Sequence, residues 1–309
     1  MPKPLLLIDT DPGVDDALAI LMAHDRADVA ALTIAAGNVG LVHTVSNALK
    51  LLDVIQADTP VFAGCPVPLV LPADDAAFVH GADGFGDTGY VPSARRAQSE
   101  HAALAILRLS HEHAGKLTLI ALGPLTNLAL ALRLDPTLPQ RVPRLVIMGG
   151  AVTGRGNTSI PAEFNIAFDP EAAHIVFSTW PQFDLADWEA TVRHGFDFAT
   201  FERWLEEDDE RARFYAAISR RTREWTRERG RPRMLAADAL AMAVALEPGI
   251  VTHWEERHVE IELDGRLTRG ATVVDWEGRS GKPANARIAL EVDQSRFESL
   301  VSAALGAAG

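Results

Sequence analysis

Short apolar runs of strand length alternate with helical patterns through most of this chain, and that alternation fixes its fold class. Leu5-Leu6-Leu7-Ile8 is the first run, and residues 29–36, 60–63, 117–122, 145–148 and 183–186 repeat it. Helical patterns lie between them: from Ala17, over 42–55, 100–113 and 125–134, and from Asp169-Pro170-Glu171, where Asp caps and Pro takes the first helical position. Such βα alternation predicts an α/β fold, an open, mainly parallel sheet with helices on both faces. Residues 71–92 lack periodicity and are rich in Gly, Asp and Pro, as a surface loop is. Further on, 201–233 reads as a charged helix, 236–246 as an apolar one, and 259–263, 271–275 and 286–292 as late strands. With no repeat, linker or low-complexity tract, residues 1–309 are expected to form one domain.

Ligands of open α/β sheets bind outside the carboxyl ends of the strands. Polar residues stand out at four predicted ends: Asp9 and Asp11, then Asn38, then Thr126 and Asn127, then the loop opened by Gly149-Gly150. The first is the densest. Asp9-Thr10-Asp11-Pro12-Gly13-Val14-Asp15-Asp16 sets four carboxylates around one strand end and the first turn of a helix. Helix-dipole complementation and a capped turn account for one or two of these acids. Four like charges so close repel one another, and a bound cation relieves them. An all-oxygen donor set favours Ca²⁺ or Mg²⁺ over zinc.

Asp238 poses the same question from the far end of the chain. It lies in the otherwise apolar Leu235-Ala236-Ala237-Asp238-Ala239-Leu240-Ala241-Met242, where a carboxylate is rarely buried unless it pairs with an arginine or binds a metal. Residues 157–165, NTSIPAEFN, combine one carboxylate with two amides in a loop. That mixture of donors and acceptors suits a sugar, although Asn-rich surface loops are common. Asn38 after Gly37 also fits a simple turn, and His80 in the irregular loop a solvated side chain. The arginines between 211 and 233 are interleaved with Glu224 and Glu228, so an ion-paired, solvated helix face is expected.

The formal charge of -13 opposes wrapping of nucleic acid or docking on an anionic membrane. A single cysteine, Cys65, excludes an intrachain disulfide and a thiolate metal cluster. The amino-terminal apolar run is too short for a signal peptide or a membrane span, so a cytoplasmic enzyme is the expectation.

In combination, Asp9 to Ala17 (DTDPGVDDA), Glu163-Phe164-Asn165 and Asp238 resemble the nucleoside hydrolases, the inosine-uridine-preferring N-ribohydrolase family. The resemblance runs from Lys3 to the last predicted strands. It implies Ca²⁺-dependent cleavage of the N-glycosidic bond of ribonucleosides by a homo-oligomer, a dimer or tetramer. The implied metal ligands are Asp11, Asp16, the Thr126 carbonyl and Asp238, with Asp11 also the general base. Asp15, Asn38 and Asn165 would hold the ribose, Asn157 and Glu163 its 5′ end, and His80 the leaving base. One departure stands out. Several family members carry a histidine just before the last aspartate, where it protonates the departing base, and this chain has Ala237. Other branches hold the base against aromatic rings, which makes Trp188 and Trp225 candidates for stacking, unless each merely packs its own helix. Two alternatives stand beside it. Asp9-Thr10-Asp11 mimics the nucleophile motif of haloacid dehalogenase-type phosphatases, and a ribose- or nucleoside-binding protein without turnover would also suit Ala237.

Overall fold

The computed structural model describes residues 3–72 and 74–307, so Ala73 in the predicted 71–92 loop and the chain ends at 1–2 and 308–309 lie outside the described residues. Nine strands form one sheet: β1 (Leu5–Thr10), β2 (Asp28–Ile34), β3 (Val61–Ala63), β4 (Leu117–Ala121), β5 (Arg144–Met148), β6 (Phe183–Ala186), β9 (Val251–Ile261), β10 (Thr272–Asp275) and β11 (Ala286–Val292). β7 (Phe196–Asp197) and β8 (Arg233–Met234) pair separately, antiparallel. The sheet order is β10-β9-β11-β6-β5-β4-β1-β2-β3, parallel from β3 through β11, with antiparallel β9 and β10 at one edge. It is open and mainly parallel, as the alternation predicts.

Burial on both faces explains the uninterrupted apolar strands. Successive side chains of a strand point to opposite faces. Leu6 and Ile8 of β1 therefore join one core layer, with the helices Val14–Arg26, Ala237–Leu246 and Gln294–Ala304, while Leu7 joins the other, with Ala102–Glu112, Thr126–Leu134 and Pro170–Thr179. The helix Ala237–Leu246 is apolar on every side and accordingly buried, from Ala237 through Ala245.

Three elements differ from expectation. The charged stretch 201–233 is two helices, Phe198–Leu205 and Glu210–Glu228, followed by β8. Asp209 explains the break, because its carboxylate accepts from the Arg211 backbone N–H at 2.8 Å and starts a new helix. β9 begins eight residues before the expected 259. Its first half carries exposed or half-buried His253, Glu255, Glu256 and Arg257, since a strand near the antiparallel edge does not need an apolar run. A single helical turn, Ala77–His80, also interrupts the predicted loop and sets the place of His80.

Candidate active site

The sheet order brings the predicted strand ends together. β5, β4, β1 and β2 are consecutive neighbours, so the segments that follow them converge on one edge. Between β1 and its helix, Asp16 fastens the turn: Oδ2 accepts from the Gly13 backbone N–H at 3.0 Å and Oδ1 from the Thr10 hydroxyl at 2.5 Å. Asn38, after β2, donates through Nδ2 to Asp16 Oδ2 at 2.9 Å and to the Asp11 carbonyl at 3.1 Å. Only glycine fits at 13, since a Cβ there would lie 2.7 Å from His80 Nδ1 and 2.8 Å from Asn38 Nδ2.

Asp11 lies at the centre and is 1% exposed. Its Oδ2 accepts from the Asn38 backbone N–H at 2.6 Å, whereas Oδ1 is buried with no hydrogen-bond partner among the described residues. Burial, then the charge of Asp16, holds the Asp11 carboxyl well above the usual carboxylate range. Gly37 and Gly123 flank it so closely that a Cβ on either would collide with its carboxylate. Gly123→Ala should therefore displace Asp11 and lower kcat by about 10²-fold while the fold is kept. Steady-state kinetics beside a thermal melt check this, and an unaffected kcat would show that the geometry of Asp11 is not critical.

Asp15, Asp16 and Asp238 present carboxylate oxygens within 4.8 Å of one another. Asp238, on the first turn of its buried helix, thus meets the amino-terminal acids, and no arginine pairs with it among the described residues. Burial raises Asp238 well above the ordinary value, and repulsion from Asp15, Asp16 and Asp11 adds to it. Such a set of acids, with an orphaned oxygen on Asp11, fits an oxygen-seeking divalent cation. Thr126 is buried at the head of its helix, and its hydroxyl donates to Asp169 at 2.7 Å.

Asp9 lies beneath, 1% exposed, accepting from the Thr33 hydroxyl at 2.7 Å and from Asn127 Nδ2 at 2.9 Å. Burial lifts its pKa to about 6. It does not line the cavity, and neither do Asp11, Asp16 and Thr126; of the acids, Asp15, Glu163 and Asp238 do.

Above the acids opens a cavity of about 250 Å³. Every residue expected to touch substrate lines it: Asp15, Asn38, His80, Asn157, Glu163, Asn165, Trp188 and Trp225. Glu163 caps the short helix Phe164–Phe168 and accepts from the backbone N–H groups of Gly150 and Asn165, each at 3.0 Å. Burial outweighs those bonds and raises its pKa to about 7. Asn165 Nδ2 donates to the Leu122 carbonyl at 2.7 Å, committing its amide nitrogen to the strand ends. Asn157 Oδ1 accepts from the Phe164 N–H at 2.8 Å, which ties the loop to the same helix. His80 Nδ1 accepts from the Val14 N–H at 3.1 Å, and burial lowers its pKa to about 4. It is therefore a neutral ring with its proton on Nε2.

Ala237 lines the cavity, and so do Arg229 and Arg231, which the sequence places on the ion-paired, solvated helix face. The preceding helix is ion-paired as expected, though with partners on other elements: Arg211 with Asp209, Arg213 with Asp208, Arg221 with Asp87, and Arg223 and Arg227 with Glu202. In the sequence, nothing but the end of the acid interleaving at Glu228 sets Arg229-Gly230-Arg231 apart.

The model of the inosine-uridine preferring nucleoside hydrolase family matches residues 6–299. The chain belongs to that family. This nucleoside hydrolase is 38% identical over 295 residues to the non-specific ribonucleoside hydrolase RihC of Klebsiella pneumoniae, covering 95% of each chain. The RihC of Salmonella typhimurium is 36% identical over 299 residues, 96% of each. Among solved structures, an inosine-guanosine nucleoside hydrolase superposes with a TM-score of 0.92 at 34% identity, covering 99% of both chains. A plant nucleoside hydrolase gives 0.92 at 33%, covering 99% of this chain and 100% of its own. No helix among the described residues of the enzyme is long and apolar enough to cross a membrane.

Proposed function

We propose that residues 1–309 act as one catalytic domain that hydrolyses the N-glycosidic bond of ribonucleosides, purine and pyrimidine alike, with Ca²⁺ as cofactor. The observation that carries this reading is the meeting of Asp238 with Asp15 and Asp16: Asp15 and Asp238 line a cavity whose walls suit a sugar, and Asp11 contributes a buried Oδ1 with no hydrogen-bond partner among the described residues. Asp11, Asp16, Asp238 and the Thr126 carbonyl would hold the cation, with Asp15 adjoining. When bound, Ca²⁺ offsets the crowded charge and lowers the pKa of a neighbouring water.

The residues of the chain divide the remaining work. Asp11, whose Oδ1 has no hydrogen-bond partner among the described residues, takes the proton of the attacking water. Asp15, Asn38 and Asn165 hold the ribose hydroxyls, while Asn157 and Glu163 read the 5′-hydroxyl. Carboxylates grouped beneath the sugar favour the positive charge that develops at C1′. Asp9 orients the floor through Thr33 and Asn127. At the base, His80 donates from Nε2, and Trp188 and Trp225 supply apolar faces. The enzyme is read as a cytoplasmic homo-oligomer that binds neither nucleic acid nor membrane.

A panel of purine and pyrimidine ribonucleosides, assayed for released ribose, tests the reading. Ribose release should vanish in chelator and return on adding Ca²⁺. Tight Ca²⁺-dependent ribose binding without release would select the binding-protein alternative. Phosphate release from a phosphoester in Mg²⁺, with no base freed, would refute the hydrolase assignment.

A further inference from the structure

We propose that Arg231, seconded by Arg229, stabilises the departing nucleobase as an anion, so that this chain activates its leaving group by fixed positive charge instead of by protonation. The inference rests on the nucleoside hydrolase reading and concerns the end of the reaction which Ala237 leaves without an acid. Three observations converge on these two side chains. The half-buried Arg231 holds its guanidinium near two cavity indoles, 5.3 Å from the centre of Trp188 and 5.8 Å from that of Trp225. Arg229 lies 4.0 Å from the Trp225 ring. Neither makes an ion pair among the described residues, whereas five of the six arginines of the preceding helix do, Arg220 being the exception. Arg229 is exposed, whereas Arg231 is half-buried and repelled by it, and a developing negative charge in the cavity relieves Arg231.

The chemistry balances without an acid. The C1′–N bond breaks with its electron pair passing to the base nitrogen. The water oxygen bonds to C1′, and its proton goes to Asp11. The free base anion then takes a proton from solvent. Arginine does not surrender a proton at any working pH, so its contribution is electrostatic. Bases that delocalise negative charge onto ring carbonyls, such as 6-oxopurines and uracil, should then leave faster than their amino counterparts.

The test compares inosine with p-nitrophenyl β-D-ribofuranoside, whose phenolate leaves without assistance. In R231A, kcat on inosine should fall by about 10²-fold or more, with the nitrophenyl riboside changed by less than about threefold. R231K, which keeps the charge, should recover part of the loss on inosine. Equal losses on both substrates would mean that Arg231 only shapes the cavity, and an unchanged rate on inosine would remove it from the reaction; either overturns the proposal. Wild-type enzyme that releases ribose from neither compound would instead overturn the hydrolase reading itself.

Discussion

Asp11→Asn should lower kcat by about 10²- to 10⁴-fold, the range a positioned general base supplies. The nucleoside KM should move by no more than a few-fold, because the proton is taken only in the transition state. Asparagine preserves the shape of a side chain wedged between Gly37 and Gly123, so the fold has no reason to respond. Its oxygen would take the place of Oδ2 to accept from the Asn38 N–H, which turns the amide NH₂ toward the position of the orphaned Oδ1. A donor facing the cation weakens metal binding, and the assay therefore needs saturating Ca²⁺. Occupancy is followed separately, through the effect of Ca²⁺ titration on Tm. Turnover within threefold of wild type, with the ion bound, would take Asp11 out of the role of base.

The residues that were legible in advance share a physical conflict with their surroundings. Asp238 in a helix apolar on all sides, and four acids within eight residues, are arrangements that folding disfavours unless something binds them. The edge on which they meet was legible too, because a parallel sheet carries its ligands beyond the strand ends and the apolar runs marked those ends. Arg229 and Arg231 showed no such conflict. They continue a charged helix in which arginines pair with acids, and only the fold reveals that the helix stops at Glu228 and that its last arginines swing onto two tryptophans. The early part of β9 escaped notice for a related reason: where one face of a strand is wet, polar residues are tolerated and the apolar run disappears. The partners of Asp16, Thr10 and Asn38, likewise depend on the register of β1 with β2, which spacing alone does not supply.

Asp238→Ala should reverse sign between two conditions, a response that a purely structural aspartate would not give. With Ca²⁺ at about a hundred times its dissociation constant, binding stabilises the wild type by about 2.7 kcal/mol, a Tm rise on the order of 5 °C. The variant should lose that rise together with activity. In chelator the wild type instead carries Asp11, Asp15, Asp16 and Asp238 crowded with nothing to offset them, and removing one carboxylate should bring its Tm to or above the wild-type value. The pH dependence has the same origin. The buried acids hold protons more tightly folded than unfolded: Asp9 titrates near 6 against an ordinary 3.8, and Glu163 near 7 against 4.5. The folded state then binds more protons through that window, so in chelator stability rises as pH falls from about 7 toward 4. The carboxyls of Asp11, Asp16 and Asp238 are raised in the same direction by burial, so protons compete there with the cation and the gain from Ca²⁺ shrinks as pH falls. Melts from pH 8 to pH 5, with Ca²⁺ and with chelator, should give curves that converge on the acid side. Parallel curves, or an Asp238→Ala variant that still gains the full increment from Ca²⁺, would place the cation away from these carboxylates.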